Sequence, residues 1–129
     1  MAFDWKALVD LATILEQQAQ TSANSEAYLR SAMSRLYFGV YGHARNYATN
    51  YLQFISRNAA EDHGRLRQHL KGKRRKGDAD RLEQLRIWRN DADYANDLSS
   101  LDLVATAASA IALAKLVFNS LVPPKTAAP

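Results

Sequence analysis

Apolar side chains recur every three or four positions along most of the chain, which is the spacing of one face of an α-helix. The first such segment runs from Phe3 to Gln20, and Asp4 is a suitable N-cap for it. The polar stretch over residues 17–24 ends the segment. The pattern therefore predicts a first helix over residues 3–20.

A long second helix is predicted from Asn24 or Ser25 to about Tyr51, with Glu26 favourably placed in its first turn. Its core-facing arc is broad and apolar, and consists of Leu29, Met33, Leu36, Tyr37, Val40, Ala44, Tyr47 and Tyr51. Roughly opposite lies a face formed by Arg35, Gly39, Gly42 and Asn46. A glycine inside a helix costs about 1 kcal/mol relative to alanine. Two glycines on one face therefore indicate close approach by another helix of the same chain or by a second copy.

The helical pattern lapses from Ser56 to Asp62 and then returns as a short helix, predicted over residues 63–70. A basic loop, predicted over residues 71–77, follows this helix. Asp78 is a suitable N-cap for the next helix, which is predicted to continue to about Asn96.

The last helix is predicted to begin at Ser99, which with Asp102 resembles a capping box, and to end at about Leu121 before two prolines. Between residues 104 and 118 the polar positions are Thr106, Ser109 and Lys115. A helix that is apolar nearly all round is expected to be buried on most sides. A membrane span is the competing interpretation, but the run is shorter than the roughly 20 residues required and contains Lys115. We therefore expect a buried helix and no membrane.

Together these segments predict an all-α fold, an antiparallel bundle of four long helices plus a short helix. The 129 residues suit a single domain, predicted over residues 1–122, with residues 123–129 as a disordered tail. The chain contains no cysteine, and its start lacks the features of a signal peptide, so a cytoplasmic location is expected.

The formal net charge of +4 has a local origin. One segment holds seven basic residues and no acid: Arg65, Arg67, Lys71, Lys73, Arg74, Arg75 and Lys76. Such a segment suits a phosphate backbone or an acidic partner, although a charged run is also the usual composition of a solvated loop. The chain has no glycine-rich phosphate loop, and its histidines, His43, His63 and His69, lack the spacing of a metal-ligand pair. No cofactor and no metal site are expected.

The predicted fourth helix sets an arginine among apolar neighbours. Arg89 falls between Leu85 and Leu82 on the apolar arc, so it is expected to be partly buried and to need nearby acceptors. Asp93 lies one turn further on, and Asn90 and Tyr94 are likewise one turn apart. An Arg89–Asp93 ion pair at the edge of the core is one interpretation of this cluster, and a functional site is the other. His43 is expected to be a hydrogen-bonded core histidine.

The sequence Arg89-Asn90-x-x-x-Tyr94, following a helix that contains Ser-Arg-Leu-Tyr-Phe-Gly-Val-Tyr over residues 34–41, resembles the HEPN superfamily of small helical-bundle proteins. The HEPN signature is an arginine, a polar residue and a histidine four to six places after the arginine, and here Tyr94 occupies the histidine position. The sequence Arg-Asn-Asp-Ala-Asp-Tyr over residues 89–94 is similar to the motif of stand-alone prokaryotic HEPN proteins, which ends in Ala-Asp-Tyr.

The resemblance implies a homodimer, paired through the second helix and the motif helix, with the glycine face in the interface. It also implies metal-independent RNA cleavage, in which a ribose 2′-hydroxyl attacks the adjacent phosphate and Arg89 stabilises the charge that develops. The implied catalytic residues are Arg89, Asn90, Asp93 and Tyr94, and His63 is a further candidate if it folds back to the motif.

A non-catalytic dimer that binds RNA, a nucleotide or a protein is the alternative. Many proteins that resemble this one are encoded beside a nucleotidyltransferase, as in toxin–antitoxin pairs. A nucleotidyltransferase antitoxin is therefore a possible partner.

Overall fold

A computed structural model describes residues 2–125 of the chain. This part folds into five α-helices and contains no strand. The helices are α1 (Lys6–Ala19), α2 (Ser25–Tyr51), α3 (Asp62–Gly72), α4 (Lys76–Tyr94) and α5 (Leu103–Ser120). The predicted all-α helical bundle is confirmed. The part of the predicted tail beyond residue 125 lies outside the described residues.

The first half of the bundle follows the predicted boundaries closely. Helix α2 begins at Ser25 and ends at Tyr51, as predicted. Helix α1 begins later than expected, at Lys6, whose amide donates to the carboxylate of Asp4. The carboxylate thus satisfies an amide of the first turn, although Asp4 lies outside the helix.

Three predicted helix boundaries in the second half of the bundle were wrong: the starts of the last two helices and the end of the short helix. Helix α4 begins at Lys76, so Asp78 is not its N-cap; it is buried, faces Arg81 at 3.2 Å and accepts a hydrogen bond from Ser120. The predicted basic loop is correspondingly shorter, because α3 continues to Gly72. Helix α5 is capped by Asp102, not by Ser99, and the Asp102 carboxylate accepts from the amide of Ala105 at 3.0 Å.

Helix α2 lies at the centre of the bundle and packs against the other four helices. Its fully buried side chains include Leu36, Tyr37, Val40, Ala44 and Ala48. Contacts between α2 and α4 run in opposite directions along the two helices, since Arg30 meets Ala95 at one end and Tyr47 meets Arg75 at the other. An antiparallel α2–α4 pair therefore places the middle of the motif helix beside residues 34–38.

The glycine face of α2 is occupied within the chain. A methyl group added at Gly42 would lie 2.1 Å from the Trp5 ring, and one added at Gly39 would lie 3.0 Å from the Trp5 carbonyl oxygen. Both glycines are buried, because the start of α1 lies directly on them. The expectation that Gly39 and Gly42 line a dimer interface was therefore wrong. Arg35 and Asn46, the other members of that face, stay at least partly accessible.

Helix α5 is buried on one face only. Its buried residues are Thr106, Ala107, Ala110, Ile111, Ala114 and Val117, and they pack against α2 and α4. Only 33% of the helix is buried, so the expectation of burial on most sides was wrong. Its length and its mean hydropathy of 1.6 would also suit a membrane span.

Candidate functional site

Arg89 projects from α4 into a setting that is partly apolar and partly acidic. Its side chain is 21% exposed, and its guanidinium lies 4.9 Å from the ring centre of Phe38 on α2. Its Nη1 donates to Oδ1 of Asn90 at 3.0 Å, and its Nε lies 2.9 Å from Oδ2 of Asp93. The predicted partial burial and the Arg89–Asp93 pair are both confirmed.

The Arg89–Asp93 contact is an ion pair without a well-directed hydrogen bond. The Nε atom of Arg89 is buried and has no hydrogen-bond partner among the described residues, although Asp93 is within contact distance. The same Asp93 oxygen accepts from the hydroxyl of Ser34 on α2 at 3.2 Å. Asp93 therefore links α4 to α2. The guanidinium of Arg89 has hydrogen-bond donors that the residues 2–125 do not fully satisfy.

His63 and Arg89 line the same pocket, although they lie on different helices. The pocket has a volume of about 310 Å³, and its wall consists of Phe38, Ala60, His63, Arg86, Arg89 and Asn90. We call it the His63–Arg89 pocket. Three of the five predicted catalytic residues, His63, Arg89 and Asn90, therefore lie together.

The imidazole of His63 is fixed by two tyrosines of α2. Its Nδ1 lies 2.5 Å from the hydroxyl of Tyr37, and its ring stacks on Tyr41 with the centroids 3.9 Å apart. Burial of Tyr37 raises the pKa of its hydroxyl, so the hydroxyl stays protonated. No other hydrogen bond of the Tyr37 hydroxyl is found among the described residues, so its proton is best satisfied by donation to Nδ1 of His63.

The surroundings of His63 favour its neutral form. Burial lowers the pKa of the imidazole below 6.5, and the positive charges of Arg89, Arg67 and Arg86 lower it further, while Asp62 acts in the opposite direction. In the neutral ring, Nδ1 accepts from Tyr37 and the proton resides on Nε2. This Nε2 atom makes no hydrogen bond within residues 2–125, and it is not fully buried. It is therefore accessible to solvent and to a ligand.

The loop before α3 positions His63 through a buried carboxylate. Asp62 is 1% exposed, and it accepts from the Ser56 hydroxyl and from the amides of Arg57 and Asn58. It also pairs with Arg65 at 2.6 Å. These bonds, with that of Ser56 first, lower the pKa of Asp62 to about 2. Because Asp62 directly precedes His63, the same bonds restrain the backbone that carries the imidazole.

Tyr94, which occupies the histidine position of the motif, lies outside the pocket wall. It is 72% exposed, and its ring lies 5.7 Å from the Arg89 guanidinium. Tyr94 is therefore adjacent to Arg89 but on the solvent side of it.

Sequence reasoning missed Arg86, Tyr37 and Phe38 as residues of this site. The spacing of Arg86 and Arg89, three residues apart on one helix, was an available signal for a pair on one side of α4. Tyr37 had no such signal, because it belongs to the predicted core arc of α2, and Phe38 lies next to that arc without a polar group to mark it. His43 meets its prediction: it stacks on Phe118, and its Nε2 lies 2.7 Å from the carbonyl oxygen of Leu121.

Much of the predicted nucleic-acid segment makes contacts within the chain. Arg65 pairs with Asp62, Arg67 pairs with Glu83 at 2.7 Å, and Arg75 donates to the hydroxyl of Tyr47 at 3.0 Å. Arg67 and Arg75 thus make contacts between helices, and Arg65 makes one within α3. Their charge is only partly available to a ligand.

The remaining four basic residues of the segment are exposed. Lys76 pairs with Asp80, and Lys73 donates to the side chain of Gln53. Lys71 and Arg74 have no side-chain hydrogen bond or ion pair with other residues in the described range 2–125. The exposed positive charge therefore lies at the turn between α3 and α4.

Comparisons with protein-family models, with curated proteins and with solved structures found no match for this chain.

Proposed function

We propose that this chain is a HEPN-type protein that acts on RNA, as a metal-independent endoribonuclease, through the His63–Arg89 pocket. The observation that supports the proposal most is the placement of His63 beside Arg86, Arg89 and Asn90 in one accessible pocket. His63 supplies the titratable group that the motif lacks at Tyr94. Its lowered pKa leaves the imidazole neutral at pH 7, as a base requires.

In the proposed reaction the ribose 2′-oxygen bonds to the adjacent phosphorus and transfers its proton to Nε2 of His63. This step uses the other neutral tautomer of His63, the reverse of the resting arrangement, so the ring proton must first move from Nε2 to Nδ1. In that tautomer Nδ1 donates a hydrogen bond to the Tyr37 oxygen, and Nε2 is free to accept the proton. The bond from phosphorus to the 5′-oxygen breaks, and this oxygen takes a proton from water. The hydroxide that remains takes the proton back from Nε2 of His63, which restores the neutral imidazole. Arg86 and Arg89 stabilise the negative charge on the phosphorane. The products are a 2′,3′-cyclic phosphate and a 5′-hydroxyl.

Cleavage of single-stranded RNA by the purified protein in the presence of EDTA tests this proposal. His63→Gln should lower the rate by about 100-fold or more, the usual contribution of a general acid–base group. His43→Gln is the matched control, because His43 lies outside the pocket. Cleavage that survives in His63→Gln, or is lost equally in His43→Gln, would contradict the role of His63.

A non-catalytic RNA-binding module is the second candidate. Arg89 already has Asp93 and Asn90 as neighbours, and neutral His63 with its proton on Nε2 donates a hydrogen bond to a phosphate instead of accepting a proton. Under this alternative the same pocket binds a phosphate of RNA without cleaving it. Wild-type protein that binds RNA but does not cleave it, with binding lost in His63→Gln, would favour the second candidate.

Assembly and biological role form the remainder of the proposal. The chain forms a cytoplasmic homodimer through a surface other than the buried glycines Gly39 and Gly42. It is the toxin of a toxin–antitoxin pair, and its partner is a nucleotidyltransferase antitoxin. Light scattering of the purified chain tests the dimer. Growth of cells that express the chain alone, compared with cells that express the His63→Gln variant, tests the toxin.

A further inference from the structure

A second pocket adjoins the His63–Arg89 pocket across α3. A groove of about 710 Å³ lies between the segment that follows α2 and the outer side of α3. Its wall includes Gln53 and Ile55 from the segment, and Gly64, Arg67 and Gln68 from the helix. His63 lines the first pocket and Gly64, the next residue, lines the groove, so the two cavities share α3 as their common wall.

Part of the wall of the groove suits the face of a flat ring. Ile55 is 75% exposed, and Phe54 lies nearby with the Arg65 guanidinium 5.2 Å from its ring centre. Nucleobases stack on guanidinium planes, and apolar side chains also pack against them. A solvent-exposed isoleucine has no evident role in the packing of the bundle.

The rim of the groove supplies polar and positively charged groups. The amides of Gln53 and Gln68 carry both donors and acceptors, as the edge of a nucleobase requires. Lys73 donates to Gln53 at 3.2 Å, which brings the exposed basic turn to the rim. Arg67 lines the groove and also lowers the pKa of His63, so its charge reaches both cavities.

We propose that this groove is a nucleobase subsite for single-stranded RNA, continuous with a phosphate site in the His63–Arg89 pocket. The inference rests on the proposed function, because one RNA strand occupies both cavities. The strand must be single, since a base in a duplex is stacked and paired and cannot enter a groove on the protein. The exposed lysines of the α3–α4 turn then contact the backbone beyond this base.

Gly64 allows the groove to be filled without disturbing the core. A methyl group added at Gly64 would meet only Nη2 of Arg67, at 3.7 Å, so a larger side chain there extends into open space. Gly64→Leu should therefore keep the fold and obstruct the groove. Ala112→Leu is the control for added bulk, because Ala112 is exposed on α5 and lines neither the groove nor the His63–Arg89 pocket.

Fluorescence anisotropy with a labelled single-stranded oligoribonucleotide of mixed sequence tests the subsite. Gly64→Leu should weaken binding by about tenfold to a hundredfold, which is the effect of losing one base contact. Ala112→Leu should bind as the wild type does, and the same strand held in a duplex should bind more weakly than the single strand. Circular dichroism should give Gly64→Leu a melting temperature no lower than that of the wild type.

Equal affinity of wild type and Gly64→Leu, an equal loss in Ala112→Leu, or equal binding of duplex and single strand would each overturn the subsite. If Gly64→Leu binds normally while His63→Gln loses binding, only the subsite is wrong. If wild-type protein binds no RNA, the proposed function fails and the subsite fails with it.

Discussion

The hydroxyl of Tyr37 lies 2.5 Å from Nδ1 of His63, and this contact joins the centre of the core to the wall of the His63–Arg89 pocket. Tyr37 is 1% exposed, whereas His63 is accessible through its other ring nitrogen. A buried residue of α2 therefore determines which nitrogen of the imidazole faces a ligand.

The stability of the protein should depend on pH through His63. The folded-state pKa of His63 is lowered, so below about pH 6.5 the unfolded chain binds a proton that the folded chain does not. The free energy of unfolding should therefore fall as the pH drops below about 6.5. Urea denaturation between pH 5 and pH 8 should show this slope, and His63→Gln should reduce it. An unchanged slope in the variant would assign the effect to another group.

Removal of the buried carboxylate of Asp62 should loosen the loop that carries His63. Asp62→Asn keeps the size of the side chain but loses the charge that accepts from Ser56, Arg57 and Arg65, so the melting temperature at pH 7 should fall. The folded-state pKa of about 2 lies below the ordinary value of 3.8. The difference between wild type and variant should therefore be full above about pH 4 and disappear as the pH falls toward 2. A difference that persists at pH 2 would contradict the role of the charge.

Substitutions of Arg89 should distinguish a role in phosphate binding from a role in the stability of the fold. Arg89→Lys keeps the charge but removes the two-pronged guanidinium, so RNA cleavage or binding should fall steeply with little change in stability. Arg89→Ala should instead lower the free energy of unfolding by about 1 to 2 kcal/mol, between the values for exposed and deeply buried pairs. Asp93→Ala should have an effect at least as large, because Asp93 also accepts from Ser34. Thermal denaturation and RNA assays on the same variants test these expectations.

The glycine face of α2 should be sensitive to any side chain. Gly42→Ala would force the Trp5 ring to move, so we expect a loss of about 1 to 3 kcal/mol, the usual cost of overpacking. In the Trp5→Ala background the same substitution should cost much less, because the obstacle is gone. Gly72→Ala is the control and should stabilise α3 slightly. Additive losses in the double variant would show that Trp5 is not the cause.

The exposed part of the basic segment should determine the salt dependence of RNA binding. Replacing Lys71 and Arg74 with glutamine removes two charges that have no side-chain partner in residues 2–125, so the fold should survive. If both contact phosphates, the slope of log affinity against log salt should become shallower by about 1.4. Lys115→Gln, on the exposed side of α5, should leave the slope unchanged. An unchanged slope in the double variant would show that Lys71 and Arg74 face solvent and make no phosphate contact.

The local sequence pattern was sufficient to predict that the five helices exist. It also predicted the partial burial of Arg89 and its pairing with Asp93. The 3.6-residue period placed α2 at its observed boundaries, and it put Arg89 inside an apolar arc with Asp93 one turn away. These features depend on residues within a few turns of one helix. Helix geometry alone relates their positions.

Which helices meet was decided only by the tertiary structure. The glycine face was open to two interpretations until the start of α1 placed Trp5 on Gly42. His63 lies beside Arg89 only because α3 packs against α4. The outer face of α5 is likewise exposed because the bundle has no further helix to cover it within residues 2–125. Contacts between distant segments depend on loop geometry and on packing of the whole core, and neither leaves a periodic signal in the sequence.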